Sequence, residues 1–489
     1  MYRKIYLLLS AALFVSPNVS SMAMDNNQEA VVIVGAGMAG LTAGYTLSKD
    51  GIPVTIYEGR DRIGGRTHTH YFDSSKQTFY EEGGTFIDSD HNSAIELAGK
   101  LNIELIKRGY GSRKITTIYG GRLQPISTLN AELKSIKLQL TQQWDQVQSN
   151  SEAQMEWNGL EWCARSIEPH LANLSPFGKS FVQTYLEDET GISLSKGSVY
   201  ALNWMTNDIG EYSQLLTYKN NPFFPNLIID CLAYNYTVKG GMSTFVHGLA
   251  DSLPSSSPIK LHHKLTRVQK EEDYVLTFET QDGEKHVTAK NVIITLPFST
   301  LREVIIDDSV GLSKFQRKAI QTLPYGTNSK IGVPVFGQKR IYDDMLYYLN
   351  LDDKFIGWPG ENAVTLMVNA ANGKVLDEES AHQLFNKQRD YILDSYPYIE
   401  SFGPPSVKNW AQDPFARGSY STQTSTHDLI LGNYHEDTEK YPGMRNYAEP
   451  IGGVFFAGEH TRADGTAGHI EGAIRSGLQV AALLQGKLN

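Results

Sequence analysis

At 489 residues the chain is long enough for two or three domains around a large buried core. Its composition, 40% hydrophobic, 20% charged and 10% aromatic, is that of an ordinary globular protein and carries no disorder bias. A net charge of −10 argues against a nucleic-acid partner, which would need a basic stripe, and is compatible with a cationic ligand.

Arg3 and Lys4 precede an almost unbroken apolar run over residues 5–15, too short to span a bilayer. Ser21-Met22-Ala23 then offers small residues at a cleavage site. Residues 1–23 are therefore expected to be a signal peptide, and the mature protein to be exported, periplasmic or secreted, with no membrane span. No twin-arginine pair marks a folded passenger.

Residues 31–34 are apolar, β-branched and followed by glycines, which predicts a buried parallel strand. Residues 41–49 have helical spacing, and 54–57 form a second strand ending at Glu58. The turn between strand and helix is Gly35-Ala36-Gly37-Met38-Ala39-Gly40. Gly35 permits the tight turn, Gly37 lets the backbone approach a pyrophosphate, and Gly40 lets helix and strand pack closely. The helix N-terminus faces the anion, and Glu58 stands where an acid binds ribose hydroxyls. This unit does not by itself separate FAD from NAD. It continues through Arg60 to Gly64-Gly65-Arg66, where glycines again allow close approach and Arg66 offers charge to a diphosphate. A surface turn with solvated charges is the alternative.

Residues 80–88 read as a strand or turn entering a site. Residues 121–236 are helical in pattern and form a candidate helical portion of a second domain. Residues 238–249 open with Gly240-Gly241 and become a helix. Strands are expected at 259–270, 274–280, 291–296, 330–336 and 452–457, with a closing helix over 468–484. Cys163 and Cys231 have no CxxC or zinc spacing. They are expected to be separate core thiols, with one disulfide as the alternative. His68, His70, His262 and His263 lack partners at metal spacing, so they are expected at the surface and no metal site is expected.

The last segment decides between cofactors. Phe455-Phe456-Ala457-Gly458-Glu459-His460-Thr461 ends a buried strand in a Gly-Glu turn, and Gly468-His469-Ile470-Glu471-Gly472-Ala473 opens a helix. A helix N-terminus suits the partial negative charge of a reduced flavin. With the opening block, these residues resemble the flavin-containing amine oxidases, a family that includes monoamine, polyamine and L-amino-acid oxidases. The resemblance covers nearly all the chain after residue 30.

The resemblance implies an α/β fold. A Rossmann-like FAD-binding domain of the glutathione-reductase type (30–90, 238–300 and 440–489) is interleaved with a mixed-sheet and helical substrate domain (91–237 and 301–439). It also implies roles. Gly83 and Gly84 lie in the segment that passes the flavin, Gly240-Gly241-Met242 start the second cofactor stretch, and Val268 sits at the adenine-contacting position. Gly458, Glu459 and Ile470 belong to the closing motif. Arg60 joins the cofactor-binding residues. Lys330 resembles the lysine that holds a water against the flavin, and Tyr420 the tyrosine that faces substrate. The alternatives are a strand-end lysine reaching solvent and a plain core aromatic.

Two departures stand out. Ser419 replaces the cysteine that bonds covalently to flavin in monoamine oxidases, which implies non-covalent FAD. His469 stands where many members place a second aromatic wall, and imidazole also titrates near neutrality. Asp88 and His91 read first as a helix cap, with Ser89, Asp90 and Asn92 as rivals. Anchoring a distant ammonium is the alternative.

The implied reaction is oxidation of an amine to an imine, hydrolysed to a carbonyl. Oxygen or another acceptor takes the electrons, and oxygen would give hydrogen peroxide. Three alternatives are a non-amine substrate on the same fold, a dehydrogenase passing electrons to a carrier protein, and a non-catalytic flavoprotein. Residues 83–90 hold no arginine and carry Asp88 and Asp90, which favours amines over α-amino acids. Arg108, Arg113 and Arg417 are the other cations available for a substrate carboxylate.

Overall fold

The computed structural model describes residues 28–108, 114–152, 166–198, 201–202, 235–343, 345–422 and 439–488. The expected signal segment, Cys163, Cys231 and Arg113 lie outside them.

The first strand, Gln28–Val34, explains the architecture around it. Val31 and Ile33 pack into one hydrophobic core, with the helices Met38–Lys49 and Ile470–Leu488. Val32 and Val34 pack into a second core on the opposite face. A strand buried on both faces reads as a continuous apolar run, and none of residues 31–34 is more than 1% exposed. It pairs in parallel with Thr55–Tyr57 on one side and with Gly283–Ile294 on the other. Thr55–Tyr57 in turn pairs in parallel with Ile259–Lys260. Among the described residues the resulting sheet has eight strands.

Gly283–Ile294 is the pivot of that sheet. Its first half pairs antiparallel with Tyr274–Thr280, and its second half lies parallel to Gln28–Val34 and Val454–Phe456. Sequence patterning anticipated only its apolar second half. The first half is largely polar and partly exposed, so burial alternates there and the run looks like a loop. The segment expected over 80–88 is likewise two short strands, Phe79–Glu81 and Ile87–Asp88, separated by the Gly83-Gly84 loop.

The second sheet has seven strands among the described residues and is built mainly from the middle of the chain. Ser329–Gly337 is its hub, paired antiparallel with Ala363–Val368, Ile399–Phe402 and Ser406–Asn409. The helices Ile126–Glu152 and Pro176–Thr190 cover one face, and Leu129, Leu133 and Phe181 share a core with Ile356 and Trp358. Both helices fall in the stretch expected to be helical. Among the described residues, no helix is long and apolar enough to cross a membrane.

The short helix Asn92–Lys100 starts beside the cavity between the two sheets, and its cap differs from expectation. His91 occupies the cap position but its side chain makes no cap bond. The cap comes from 378 residues further along the chain: Glu471 Oε1 and Oε2 accept from the backbone N–H groups of Ser93 (3.1 Å) and Ala94 (2.8 Å). A carboxylate at a helix N-terminus also meets the positive end of the dipole. Glu471→Ala should therefore leave two amide donors unpaired and lower stability by about 1–2 kcal/mol. Comparing urea midpoints and Tm of the purified variant and parent checks this, and equal values would refute it.

Candidate active site

A cavity of about 650 Å³ runs between the two sheets. At one end its wall is rich in glycine. Gly35 sits at φ +106°, a conformation that favours glycine, and a Cβ there would lie 2.5 Å from Thr295 Oγ1. At Gly40 a Cβ would lie 2.0 Å from the Gly35 carbonyl oxygen, so the helix can cross the strand only without a side chain. Gly37 is the N-cap of Met38–Lys49, no side chain caps that helix, and Gly37, Met38 and Ala39 line the cavity. A backbone bridge brings Gly64 alongside Gly37.

Charged groups tie this loop down. Glu58 is buried; Oε2 accepts from the Ala36 N–H at 2.8 Å and Oε1 from the Arg60 N–H at 2.9 Å. The Arg60 guanidinium lines the cavity but grips Asp413 with two bonds of 3.0 and 2.6 Å. Burial pushes the Asp413 carboxyl up, yet Arg60 and Lys408 overcome it and bring it down to about 2. Arg66 Nη1 donates to Glu459 Oε1 and to the Ser419 carbonyl, both at 2.8 Å. Burial acts against the Glu459 charge, and Arg66 first among its neighbours lowers it to about 2. Glu459 also accepts from the N–H groups of Ser421 and Gly468. The first and last glycine motifs are thus joined by one buried ion pair, and Arg66, expected to face a diphosphate, spends this nitrogen on Glu459.

Val268 and four histidines have surroundings that the sequence did not show. Val268 is fully buried in the sheet core and does not line the cavity; Leu265 does, with His263 and Lys264. The register of Lys264–Lys270 shifts between Leu265 and Arg267. The histidines expected at the surface are also engaged, and the exposed His262 has Nδ1 3.4 Å from Gln281 Nε2. His263 lines the cavity 5.2 Å from the Tyr57 ring, and His68 and His70 flank Glu82, with His68 Nδ1 2.8 Å from Oε2.

The other end of the cavity carries the functional side chains. Gly83, Gly84 and Ile470 line it, and a Cβ on Gly84 would meet Ile470 Cδ1 at 2.7 Å. Lys330 does not reach solvent. It is 7% exposed, and Nζ donates to the Gly83 carbonyl and to Thr85 Oγ1 (2.8 Å), 5.0 Å from the Trp358 ring centre. Burial pulls its ammonium down to about 8, against the opposing charges of Glu81, Asp188 and Glu82. Tyr420 lines the same space, and its hydroxyl donates to the Asp188 carbonyl and accepts from Asn328 Nδ2.

His469 is exposed on the cavity wall, with Nδ1 3.0 Å from the Ala467 carbonyl. Its ring meets His91 edge-on at 5.4 Å. Asp88, His91 and His469 each bring one donor atom within 4.8 Å of the others. His91 uses both ring nitrogens on Asp88: Nδ1 accepts its N–H at 3.0 Å, and Nε2 lies 3.4 Å from Oδ2. That tautomer leaves His91 no lone pair for a metal.

A profile described as flavin containing amine oxidoreductase matches residues 38–485. The chain belongs to this family. It is a flavin-dependent amine oxidase with an α/β fold. A putative L-amino-acid oxidase of Bacillus subtilis (strain 168) is 23% identical over 94% of this chain and 96% of its own length. Pseudooxynicotine dehydrogenase of a Pseudomonas species is 24% identical over 93% and 87%. The structure of a putrescine oxidase bound to putrescine superposes with a TM-score of 0.66 at 21% identity, covering 94% of this chain and 99% of that one.

Within this amine oxidase, Asp188, Glu189, Asn328 and Trp358 are among the wall residues that escaped sequence reasoning. Asp188 and Glu189 end the helix Pro176–Thr190, in a run of acids that looks like any solvated helix terminus. Asn328, one residue before the hub strand, is 2% exposed; Nδ2 donates to the Asp188 carbonyl at 2.9 Å and Oδ1 accepts the Ala370 N–H at 3.1 Å. Buried amides that satisfy both ends usually fix a geometry.

Proposed function

We propose that this enzyme binds FAD without a covalent bond and oxidises a primary or secondary amine to an imine, which water converts to a carbonyl compound. Oxygen is the proposed electron acceptor and hydrogen peroxide the co-product. The observation that carries this reading is the polarity of one cavity: a glycine-rich helix N-terminus at one end, Lys330 and Tyr420 at the other.

The glycine-rich end suits an anionic dinucleotide. The uncapped helix end with Gly35 and Gly37 would take the diphosphate, Glu58 the ribose, and Gly83, Gly84, Gly458 and Ile470 the flavin ring. When bound, FAD supplies hydride acceptance from the carbon next to the amine nitrogen. The chain's own task is to hold that carbon in place and keep the nitrogen neutral. Phe86, Tyr185, Ile356 and Trp358 give the substrate end an apolar and aromatic wall that excludes water.

Charge at the wall favours amines over α-amino acids. Asp88, Asp188 and Glu189 line the cavity. Among the described residues that line it, the arginines are Arg60, Arg66 and Arg417, ion-paired with Asp413, Glu459 and Glu303. A substrate carboxylate would therefore meet acids and engaged cations. A peroxide assay over a panel of amines and L-amino acids should give the highest kcat/KM with an amine. A common L-amino acid ahead of every amine would overturn the preference, and flavin bleaching without peroxide in air would point to another acceptor.

The non-covalent reading rests on Ser419, a cavity-lining residue whose hydroxyl cannot form a thioether. Acid precipitation of the yellow holoenzyme should release all its flavin into the supernatant. Flavin retained in the washed pellet would contradict this.

A further inference from the structure

The last turn of Pro176–Thr190 enters the cavity wall beside Tyr420. Its backbone is held from three sides. Tyr420 and Asn328 both donate to the Asp188 carbonyl, and Thr327 N–H donates to the Gly191 carbonyl at 2.9 Å. The Asp188 side chain is in a different position. It is 8% exposed, and Oδ1 has no hydrogen-bond partner among the described residues. A buried carboxyl oxygen without a partner is costly, and a hydrogen-bond donor brought to this wall would relieve that cost.

The electrostatics of the wall say what kind. Around Asp188 stand Glu189 on its own helix, Lys330 on the hub strand, Tyr420 on the opposite loop and the amide of Asn369. Burial first, then Glu189, push the Asp188 carboxyl well above the usual range, while Lys330 and Asn369 pull the other way. In the same cavity burial lowers the ammonium of Lys330 to about 8. Desolvation thus raises the proton affinity of a carboxyl and lowers that of an ammonium in the same cavity, which favours proton transfer from a bound ammonium to the carboxyl.

Resting on the reading that amines are oxidised here, we propose that Asp188 receives the substrate's ammonium and takes its proton. The step is R₂CH–NH₃⁺ + Asp188–COO⁻ → R₂CH–NH₂ + Asp188–COOH. One N–H bond breaks, one O–H bond forms, and the electron pair stays on nitrogen. The neutral amine is made inside the site and is not drawn from the small neutral fraction in solution.

The test counts protons. A tertiary-alkyl amine with no C–H next to nitrogen, tert-butylamine, is bound to the FAD-loaded enzyme by calorimetry in buffers of different ionisation heat at about pH 9, where the free amine is still mostly ammonium. The wild type should release close to zero protons, because the proton stays in the complex. Asp188→Asn should release about one per amine bound, having only the neutral amine to accept. A full proton from the wild type, or none from the variant, overturns the proposal; because an ammonium held as an ion pair would also release none from the wild type, the variant's count decides between the two.

Flavin reduction separates a structural role. With an alkylamine, Asp188→Asn should lose on the order of 10²-fold in rate, and with its β-fluorinated analogue, already largely neutral, less than about threefold. Equal losses on both, or no loss on either, also overturn it. If no amine binds or reduces the wild-type flavin, the proposed function fails instead.

Discussion

Gly37→Asp is expected to give a folded protein that carries no FAD. Gly37 has φ −79° and ψ −178°, extended backbone open to any residue, and a Cβ there meets nothing within 4 Å. Aspartate is also among the best N-cap residues, and Gly37 is the N-cap of its helix, so the apoprotein should not lose stability. What changes is the cavity. The new carboxylate would sit where a diphosphate approaches the helix end. Two unit charges about 4 Å apart repel by about 4 kcal/mol near a protein surface, roughly a 10³-fold loss in affinity. The purified variant should be colourless, with a melting temperature at or above that of the wild-type apoprotein. Gly40→Ala makes the contrast. Its Cβ would lie 2.0 Å from the Gly35 carbonyl oxygen, so it should lose both the fold around the loop and the flavin. A yellow Gly37→Asp protein with stoichiometric FAD would refute the placement of the diphosphate.

Lys330→Met should keep its FAD and lose on the order of 10²-fold in the flavin-dependent rates, the size typical of removing one preorganised electrostatic partner. The two side chains have similar length, so the packing against Trp358 is largely kept. The variant loses a charge and leaves the Gly83 carbonyl and Thr85 hydroxyl without their donor. The pH profile adds a second signature. Because burial lowers the Lys330 ammonium to about 8, its charge is present below that value and is lost as pH rises through it. Where the charge assists the reaction with oxygen, the wild-type rate should fall through about pH 8, and the variant should lack that step. Stopped-flow measurement of the two half-reactions separately, across pH, reads both. Wild-type rates in both half-reactions, with the same profile, would remove Lys330 from the machinery.

Several of these features were legible before any coordinates. The opening strand, turn and helix were readable because their constraints are local. A positive φ at Gly35, and a helix that must cross its strand at Gly40, follow from residues only five apart in the chain. The closing strand and helix were readable for the same reason. The helical stretch before residue 236 was visible from its pattern, but nothing in it separated Asp188 from the acids around it.

Sequence by itself therefore determined the cofactor unit, the α/β class and the family, since these depend on short-range spacing and on two contiguous motifs. Tertiary structure alone decided what each motif meets. It paired Arg66 with Glu459, 393 residues away, and capped Asn92–Lys100 with Glu471. It turned Lys330 inward onto Gly83 and placed Leu265 on the cavity wall. It also brought Asp188 to Tyr420. The physical reason is the range of the forces involved. Backbone dihedrals and helix periodicity act over a few residues and leave a mark in the sequence. Ion pairs, caps and buried carboxyls are set by which surfaces pack together, and a charged residue looks the same in the sequence whether its partner is water or another residue hundreds of positions away.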